Sequence, residues 1–195
     1  PAPGASGMVE SAEAQGEVKR LRKSASEGSL NADSSGARSS GPGDLDSQDR
    51  GYGNGPDYWD ERYLKSPEPF EWLQGFEELK DFIREACNGR MDVNILHVGC
   101  GNSPLPEDMY DFGYTKIVNV DNSAVCIKQM AERNVGRPGL QWLEMDATRM
   151  SFPDESYDVA IDKSVLDTFA CGDSASQVIE KYLGEIQRVL RPRGV

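Results

Sequence analysis

Hydrophobic residues in the later part of the chain follow two alternating patterns. Short apolar runs typical of buried strands lie at residues 94–99, 116–121, 140–145 and 157–162. Between and after these runs, apolar residues spaced three and four apart predict helices near residues 104–112, 123–134 and 175–190. Strands that alternate with helices imply a parallel sheet, so the predicted fold class is α/β.

The segments before the first strand differ from this pattern. An apolar stripe from Phe70 to Ala86 predicts one more helix, which Asn88 and Gly89 end. Residues 1–55 are rich in Gly, Ser, Ala and charge, with almost no aromatic or branched apolar residues. Such a segment cannot bury enough apolar surface to offset its ordering entropy. We therefore expect a disordered tail over residues 1–55 and one folded domain over residues 56–195.

The last predicted helix runs into a turn at residues 191–194 that should lead to another strand. Four strands with their helices would leave one edge of the sheet open and part of its apolar face uncovered. We therefore expect the last strands of the sheet to be missing from this chain.

Composition narrows the classes of partner. The chain has 21 basic and 33 acidic residues and a net charge of −12, so its field repels nucleic acid and anionic lipid. We therefore expect a small molecule or a basic protein as partner, with no nucleic acid and no membrane. Four scattered cysteines and a single histidine form no metal-site or disulfide pattern, and reduced thiols are consistent with a cytoplasmic protein. The sequence does not set the oligomeric state.

A glycine turn and a carboxylate provide the first candidate binding site. Gly99 and Gly101 follow the first predicted strand, and Asp121 ends the second. Glycines without a Cβ let the chain turn sharply and let a ligand approach the backbone. A carboxylate at the end of the next strand can accept hydrogen bonds from both ribose hydroxyls. The alternative role of Asp121 is to cap the helix that begins near Ala124.

The residue at position 104 distinguishes between a dinucleotide and S-adenosylmethionine as the ribose-containing ligand. A dinucleotide fingerprint has its third glycine there, whereas this chain has Pro104, which removes an N–H donor and adds bulk at the pyrophosphate position. This disfavours a nucleotide-dependent oxidoreductase. S-adenosylmethionine has no phosphate and fits the same segment.

Other polar residues at strand ends have two possible roles. Asp146 ends the third strand, where it can accept the adenine amino group while the Ala147 N–H serves a ring nitrogen. The alternative for Asp146 is a helix N-cap. Asp167 is interpreted as structural, and His97, inside an apolar strand, as a hydrogen-bonded core residue rather than a catalytic base.

From Tyr58 to Val195 the chain resembles class I S-adenosylmethionine-dependent methyltransferases. Three segments together, residues 58–63, 98–103 and 162–167, are similar to the methyltransferase-like 13 branch, whose members methylate lysines, and in one case the N-terminus, of elongation factor 1-alpha. The resemblance implies a Rossmann-like sheet with helices on both faces and S-adenosyl-L-methionine as cofactor. It also implies a basic, translation-factor-like protein as substrate.

The resemblance also implies roles for individual residues. Trp59, Tyr63 and Trp72 would cover the cofactor and bind its methionine end, although aromatic residues before a domain are more often core anchors. Asn122 and Lys163 would contact the cofactor. Asp162 would face the substrate and orient an incoming amine, which makes it the candidate catalytic residue.

Two alternatives to a protein-lysine methyltransferase stay open at this point. One is a non-catalytic protein that binds the cofactor or a partner. The other is a methyltransferase that acts on a small molecule or on RNA.

Overall fold

The computed structural model describes residues 55–171 and 175–195, so the tail expected over residues 1–55 lies outside them except for Gly55. The helices are α1 (Gly55–Lys65), α2 (Phe76–Ala86), α3 (Leu105–Phe112), α4 (Ala124–Arg133), α5 (Val165–Ala170) and α6 (Ala175–Val189). The strands are β1 (Ile95–Val98), β2 (Ile117–Asp121), β3 (Leu140–Glu144) and β4 (Val159–Asp162). The described strands form one parallel sheet in the order β3-β2-β1-β4, which confirms the predicted fold class.

The register of the sheet brings the strand ends together. Val98 pairs with Val120 on one side and with Asp162 on the other. The carboxyl ends of β1, β2 and β4 therefore lie side by side at one edge, which is where α/β sheets bind ligands. The segments that follow these three strands all meet at this edge.

Strand β1 is buried along its whole length, which shows that both faces of the sheet are covered there. Ile95 packs in a cluster with residues of α2 and α3, including Ile83 and Met109. Leu96 and Val98 point the other way and pack with Tyr182 and Val189 of α6. Burial on both faces explains why the strands appear in the sequence as continuous apolar runs.

Helix α1 is part of the folded domain because it contacts α4. Asp60 Oδ1 accepts hydrogen bonds from Ser123 Oγ (2.5 Å) and from the Val125 N–H (3.1 Å) at the start of α4. Tyr63 packs with Cys126 of that helix. The aromatic segment of α1 therefore packs against the rest of the described domain.

The prediction of a helix from Phe70 to Ala86 is wrong for residues 70–75. Helix α2 begins at Phe76, and residues 66–75, which we call the strap, contain no helix. The Glu78 carboxylate accepts a hydrogen bond from the Gly75 N–H at 3.1 Å and fixes the start of α2 there. Leu73 has φ +64°, which a helix cannot accommodate. The helix-like spacing of Phe70 and Leu73 in the sequence does not reflect a helical turn.

Among the described residues, no helix combines the length and the apolar character needed to cross a bilayer.

His97 is a core residue, as predicted. It is 1% exposed, and its Nδ1 lies 3.2 Å from Asn119 Oδ1. Burial lowers the pKa of His97 to about 4, whereas an unfolded histidine has a pKa of about 6.5. The unfolded chain therefore binds more protons between these values, and the histidine contribution to stability, complete above pH 6.5, is lost as the pH falls towards 4.

We therefore expect His97 to make the free energy of unfolding fall by about 2 kcal/mol between pH 7 and pH 5. Urea unfolding of the wild type and of His97→Gln at both pH values measures this, because the carboxylates titrate equally in the two proteins. Equal losses in the two proteins would contradict the prediction.

Candidate functional site

A cavity of about 320 Å³ lies at the carboxyl ends of β1, β2 and β4. Nine of the eleven residues predicted from the sequence line it. They are Trp59, Tyr63, Trp72, Gly99, Gly101, Asp121, Asn122, Ala147 and Lys163. The structure thus brings together residues that are spread over more than a hundred positions of the chain. Asp146 and Asp162 do not line this cavity.

The glycine turn forms the floor of the site and requires glycine at both positions. Gly99 has φ +56° and Gly101 has φ +53°, in the left-handed region that L side chains rarely adopt. A Cβ on Gly99 would lie 2.0 Å from Val165 Cγ2, and one on Gly101 would lie 2.9 Å from the Tyr63 hydroxyl. The missing side chains therefore make room for α5 and for the aromatic wall as well as for a ligand.

Asp121 holds the glycine turn while it lines the cavity. Its Oδ2 accepts a hydrogen bond from the Gly101 N–H (2.9 Å), and its Oδ1 accepts one from the Ser123 N–H (3.0 Å). Burial raises the pKa of the Asp121 carboxyl, and these backbone N–H groups oppose the shift. A carboxylate has about four lone-pair sites, so this side chain can also accept a hydrogen bond from a ligand hydroxyl. The side chain that caps α4 is Ser123, whose Oγ accepts from the Cys126 N–H at 3.1 Å.

The aromatic wall consists of residues from α1 and the strap. Trp59 and Tyr63 stack with centroids 6.1 Å apart, and Trp72 meets Phe70 edge to face at 5.0 Å. The Arg62 guanidinium lies 5.0 Å from the Trp72 ring centroid and 6.0 Å from that of Trp59. This guanidinium therefore links the two halves of the wall by cation-π contacts.

Lys163 lines the cavity at the end of β4, but its ammonium group contacts the strap. The Nζ donates hydrogen bonds to Glu71 Oε1 and to the Trp72 carbonyl oxygen (2.9 Å). Its side chain is 9% exposed, and burial lowers its pKa to about 8. The contact with a cofactor that the family resemblance implies stays a prediction.

The carboxylates of Asp146 and Asp162 are engaged in local structure. Asp146 Oδ1 accepts hydrogen bonds from the Thr148 N–H (2.8 Å) and from its hydroxyl (2.7 Å), which closes a turn. No described helix begins between β3 and β4, so this carboxylate stabilises a turn and not a helix N-terminus, while the neighbouring Ala147 reaches the cavity.

Asp162 fixes the start of α5. Its two oxygens accept from the N–H groups of Val165 (2.9 Å) and Leu166 (3.2 Å), and Oδ2 also accepts from the Tyr182 hydroxyl (2.5 Å). These bonds engage both carboxylate oxygens, and its role with an amine stays a prediction.

The sequence patterns did not predict the wall that α5 provides. Cavity-lining residues from this wall and the strap include Leu73, Ser164, Val165, Asp167, Thr168 and Phe169. Helix α5 has only six residues, too few for an apolar periodicity to reveal it. Asp167, interpreted from the sequence as structural, lines the cavity, and none of its described neighbours hydrogen-bonds its carboxylate.

Comparison with known proteins adds a family to this geometry. A family model described as a methyltransferase domain matches residues 96–195. The chain is 44% identical over 142 residues to an eEF1A lysine and N-terminal methyltransferase homolog of Drosophila pseudoobscura pseudoobscura, an alignment that covers 71% of this chain and 21% of the relative. It is 32% identical over 147 residues to EEF1A lysine methyltransferase 4 of Bos taurus, with 70% of this chain and 57% of the relative covered.

A solved structure has the same fold. Phosphoethanolamine N-methyltransferase 1 of Haemonchus contortus, in complex with phosphoethanolamine and S-adenosylhomocysteine, superposes with a TM-score of 0.53 at 15% identity. The match covers 71% of this chain and 29% of that one. The chain thus spans only part of each of these proteins.

Proposed function

Because this chain belongs to the class I S-adenosylmethionine-dependent methyltransferases, we propose that it methylates a lysine amine of a protein substrate. The observation that carries the proposal is the cavity in which the glycine turn, Asp121 and the aromatic wall meet. The names of the relatives support lysine of elongation factor 1-alpha as the acceptor. A translation factor as substrate would place the reaction in the cytoplasm.

The residues of the cavity fit S-adenosylmethionine. The Asp121 carboxylate can accept hydrogen bonds from ribose hydroxyls, and the faces of Trp59 and Tyr63 suit a sulfonium cation. Ala147 borders the same cavity and could serve the adenine ring. When bound, the cofactor supplies an activated methyl group and a neutral thioether as leaving group.

The amine that receives the methyl group must be neutral, although lysine has a pKa of about 10.4 in water. A carboxylate at the cavity wall would attract the ammonium form and orient it. We assign this task to Asp167, because both oxygens of Asp162 already hold α5. Asp167 is exposed, so the proton of the bound ammonium can leave to solvent before methyl transfer. Asp162 then acts as a positioning residue for the helix that carries Asp167.

We expect Asp167→Asn to lower kcat/KM for the protein substrate by about ten- to a hundredfold, because a hydrogen bond to a charged group contributes about 1.5–3 kcal/mol. Its affinity for S-adenosylhomocysteine should change less than about twofold, since the effect lies on the acceptor side. Asp81→Asn, at an exposed position of α2, is the matched control. Equal kcat/KM values for the wild type and Asp167→Asn would contradict the assignment.

The proposed reaction is tested by incubating the protein with S-adenosylmethionine and purified elongation factor 1-alpha, and locating methyl groups by mass spectrometry. Methylation confined to lysine side chains would support the proposal. Cofactor binding without transfer to this or other basic proteins would overturn it in favour of a non-catalytic binding protein.

A further inference from the structure

The strap is held in its middle by polar contacts from two segments, one that follows the glycine turn after β1 and one that follows β4. In the segment after β1, Asn102 Nδ2 donates to the Glu68 carbonyl oxygen (2.5 Å), and Ser103 Oγ donates to Glu71 Oε2 (2.8 Å). In the segment after β4, Lys163 donates to Glu71 Oε1 and to the Trp72 carbonyl oxygen. The Glu71 side chain contacts both segments, through Ser103 and Lys163.

The two oxygens of Glu71 therefore connect three parts of the site. One joins the strap to the segment that follows the glycine turn, and the other joins it to the end of β4. The next residue, Trp72, places its ring in the cavity wall. The Glu71 side chain is 21% exposed and that of Lys163 is 9% exposed, so water screens this ion pair less than a surface pair.

The loss of the Glu71 charge would affect Lys163 and, through it, the Trp72 carbonyl. A buried ammonium that loses its carboxylate is unstable in place, so the lysine must either leave the site or release its proton. In both cases the bond from Nζ to the Trp72 carbonyl would weaken as well. The position of the Trp72 ring over the cavity thus depends on a residue that does not itself line the cavity.

The geometry points to Glu71 as a positioning residue for the cofactor: its carboxylate fastens the strap across the cavity and sets Lys163 and Trp72 in place. The inference rests on the proposed use of this cavity for S-adenosylmethionine. Because Glu71 acts through Lys163 and Trp72, its effect should appear in how long a bound cofactor stays in the cavity.

The test measures the dissociation constant and the dissociation rate of S-adenosylhomocysteine for the 195-residue chain. We expect Glu71→Gln to raise both by about tenfold, as the loss of a hydrogen bond to a charged group implies, with an unchanged circular dichroism spectrum. Glu77→Gln, the same change at a position of α2 whose side chain is 79% exposed, should leave both values unchanged.

A double-mutant cycle separates positioning from a general loss of stability. If Glu71 acts through Lys163, the effects of Glu71→Gln and Lys163→Gln on the dissociation constant will not add in the double variant. Additive effects, or a Glu71→Gln variant that binds like the wild type, would overturn the role of Glu71 and leave the cofactor site intact. A folded wild type that binds no S-adenosylhomocysteine would instead overturn the cofactor site, and the inference with it.

Hydrogen exchange of the wild type provides a measurement that does not depend on the folding of any variant. The strap amides, residues 66–75, should exchange more slowly when S-adenosylhomocysteine is bound. Unchanged exchange in the strap of a saturated complex would overturn the inference.

Discussion

Gly99→Ala is expected to reduce S-adenosylhomocysteine affinity by at least about a hundredfold and to destabilise the fold by about 2–4 kcal/mol. The added Cβ would lie 2.0 Å from Val165 Cγ2, a distance that forces α5 or the turn to move. The φ of +56° adds backbone strain for any residue with a Cβ. The floor of the cavity and the wall that α5 provides would shift together.

Calorimetric titration with S-adenosylhomocysteine and thermal unfolding measure the two effects. Gly89→Ala is the matched control, because Gly89 also has a positive φ, +69°, but a Cβ there would have no atom within 4 Å. It should lose about 1–2 kcal/mol of stability from backbone strain alone, with normal binding. If Gly99→Ala behaves like Gly89→Ala, the close packing of the turn does not matter for the site.

Asp121→Asn is expected to weaken S-adenosylhomocysteine binding by about a hundredfold. An amide has one acceptor oxygen in place of two, so its NH₂ group would face the N–H of either Gly101 or Ser123. The variant would therefore disturb the glycine turn and also lose acceptors for the ribose hydroxyls. Titration of the wild type and the variant measures the loss.

An S-adenosylhomocysteine analogue without the ribose hydroxyls isolates the ligand contact. This analogue should bind the wild type weakly and lose much less affinity when Asp121 is changed. Asp146→Asn is the second control, because its carboxylate faces Thr148 and not the cavity. A hundredfold loss in Asp146→Asn, with Asp121→Asn unaffected, would reverse the two assignments.

The sequence patterns were sufficient to predict the strands of the sheet and many of the residues that line the cavity. The strand runs at 94–99 and 116–121 predicted β1 and β2 to within about a residue or two, because strands buried on both faces need continuous apolar runs. The convergence of Gly99, Asp121 and Ala147 follows from one rule, since carboxyl ends of parallel strands share an edge.

Side-chain direction was harder to predict than position. Asp162 lies at the strand end where the sequence placed it, but its carboxylate turns to the N–H groups of α5 and to Tyr182. The choice between ligand and helix cap depends on a turn geometry that no local pattern contains. Glu71 was missed for a related reason, because its partner Lys163 lies 92 positions away.

The contact of Asp60 with the start of α4 has a consequence for how this enzyme family is delimited. The methyltransferase-domain model matches residues 96–195, yet Asp60, well before that region, accepts hydrogen bonds from Ser123 and Val125 at the start of α4. A fragment trimmed to residues 96–195 would keep the glycine turn but lose Trp59, Tyr63 and the Asp60 carboxylate that accepts hydrogen bonds at the start of α4. The region that the domain model matches is therefore shorter than the region that builds the walls of the cavity.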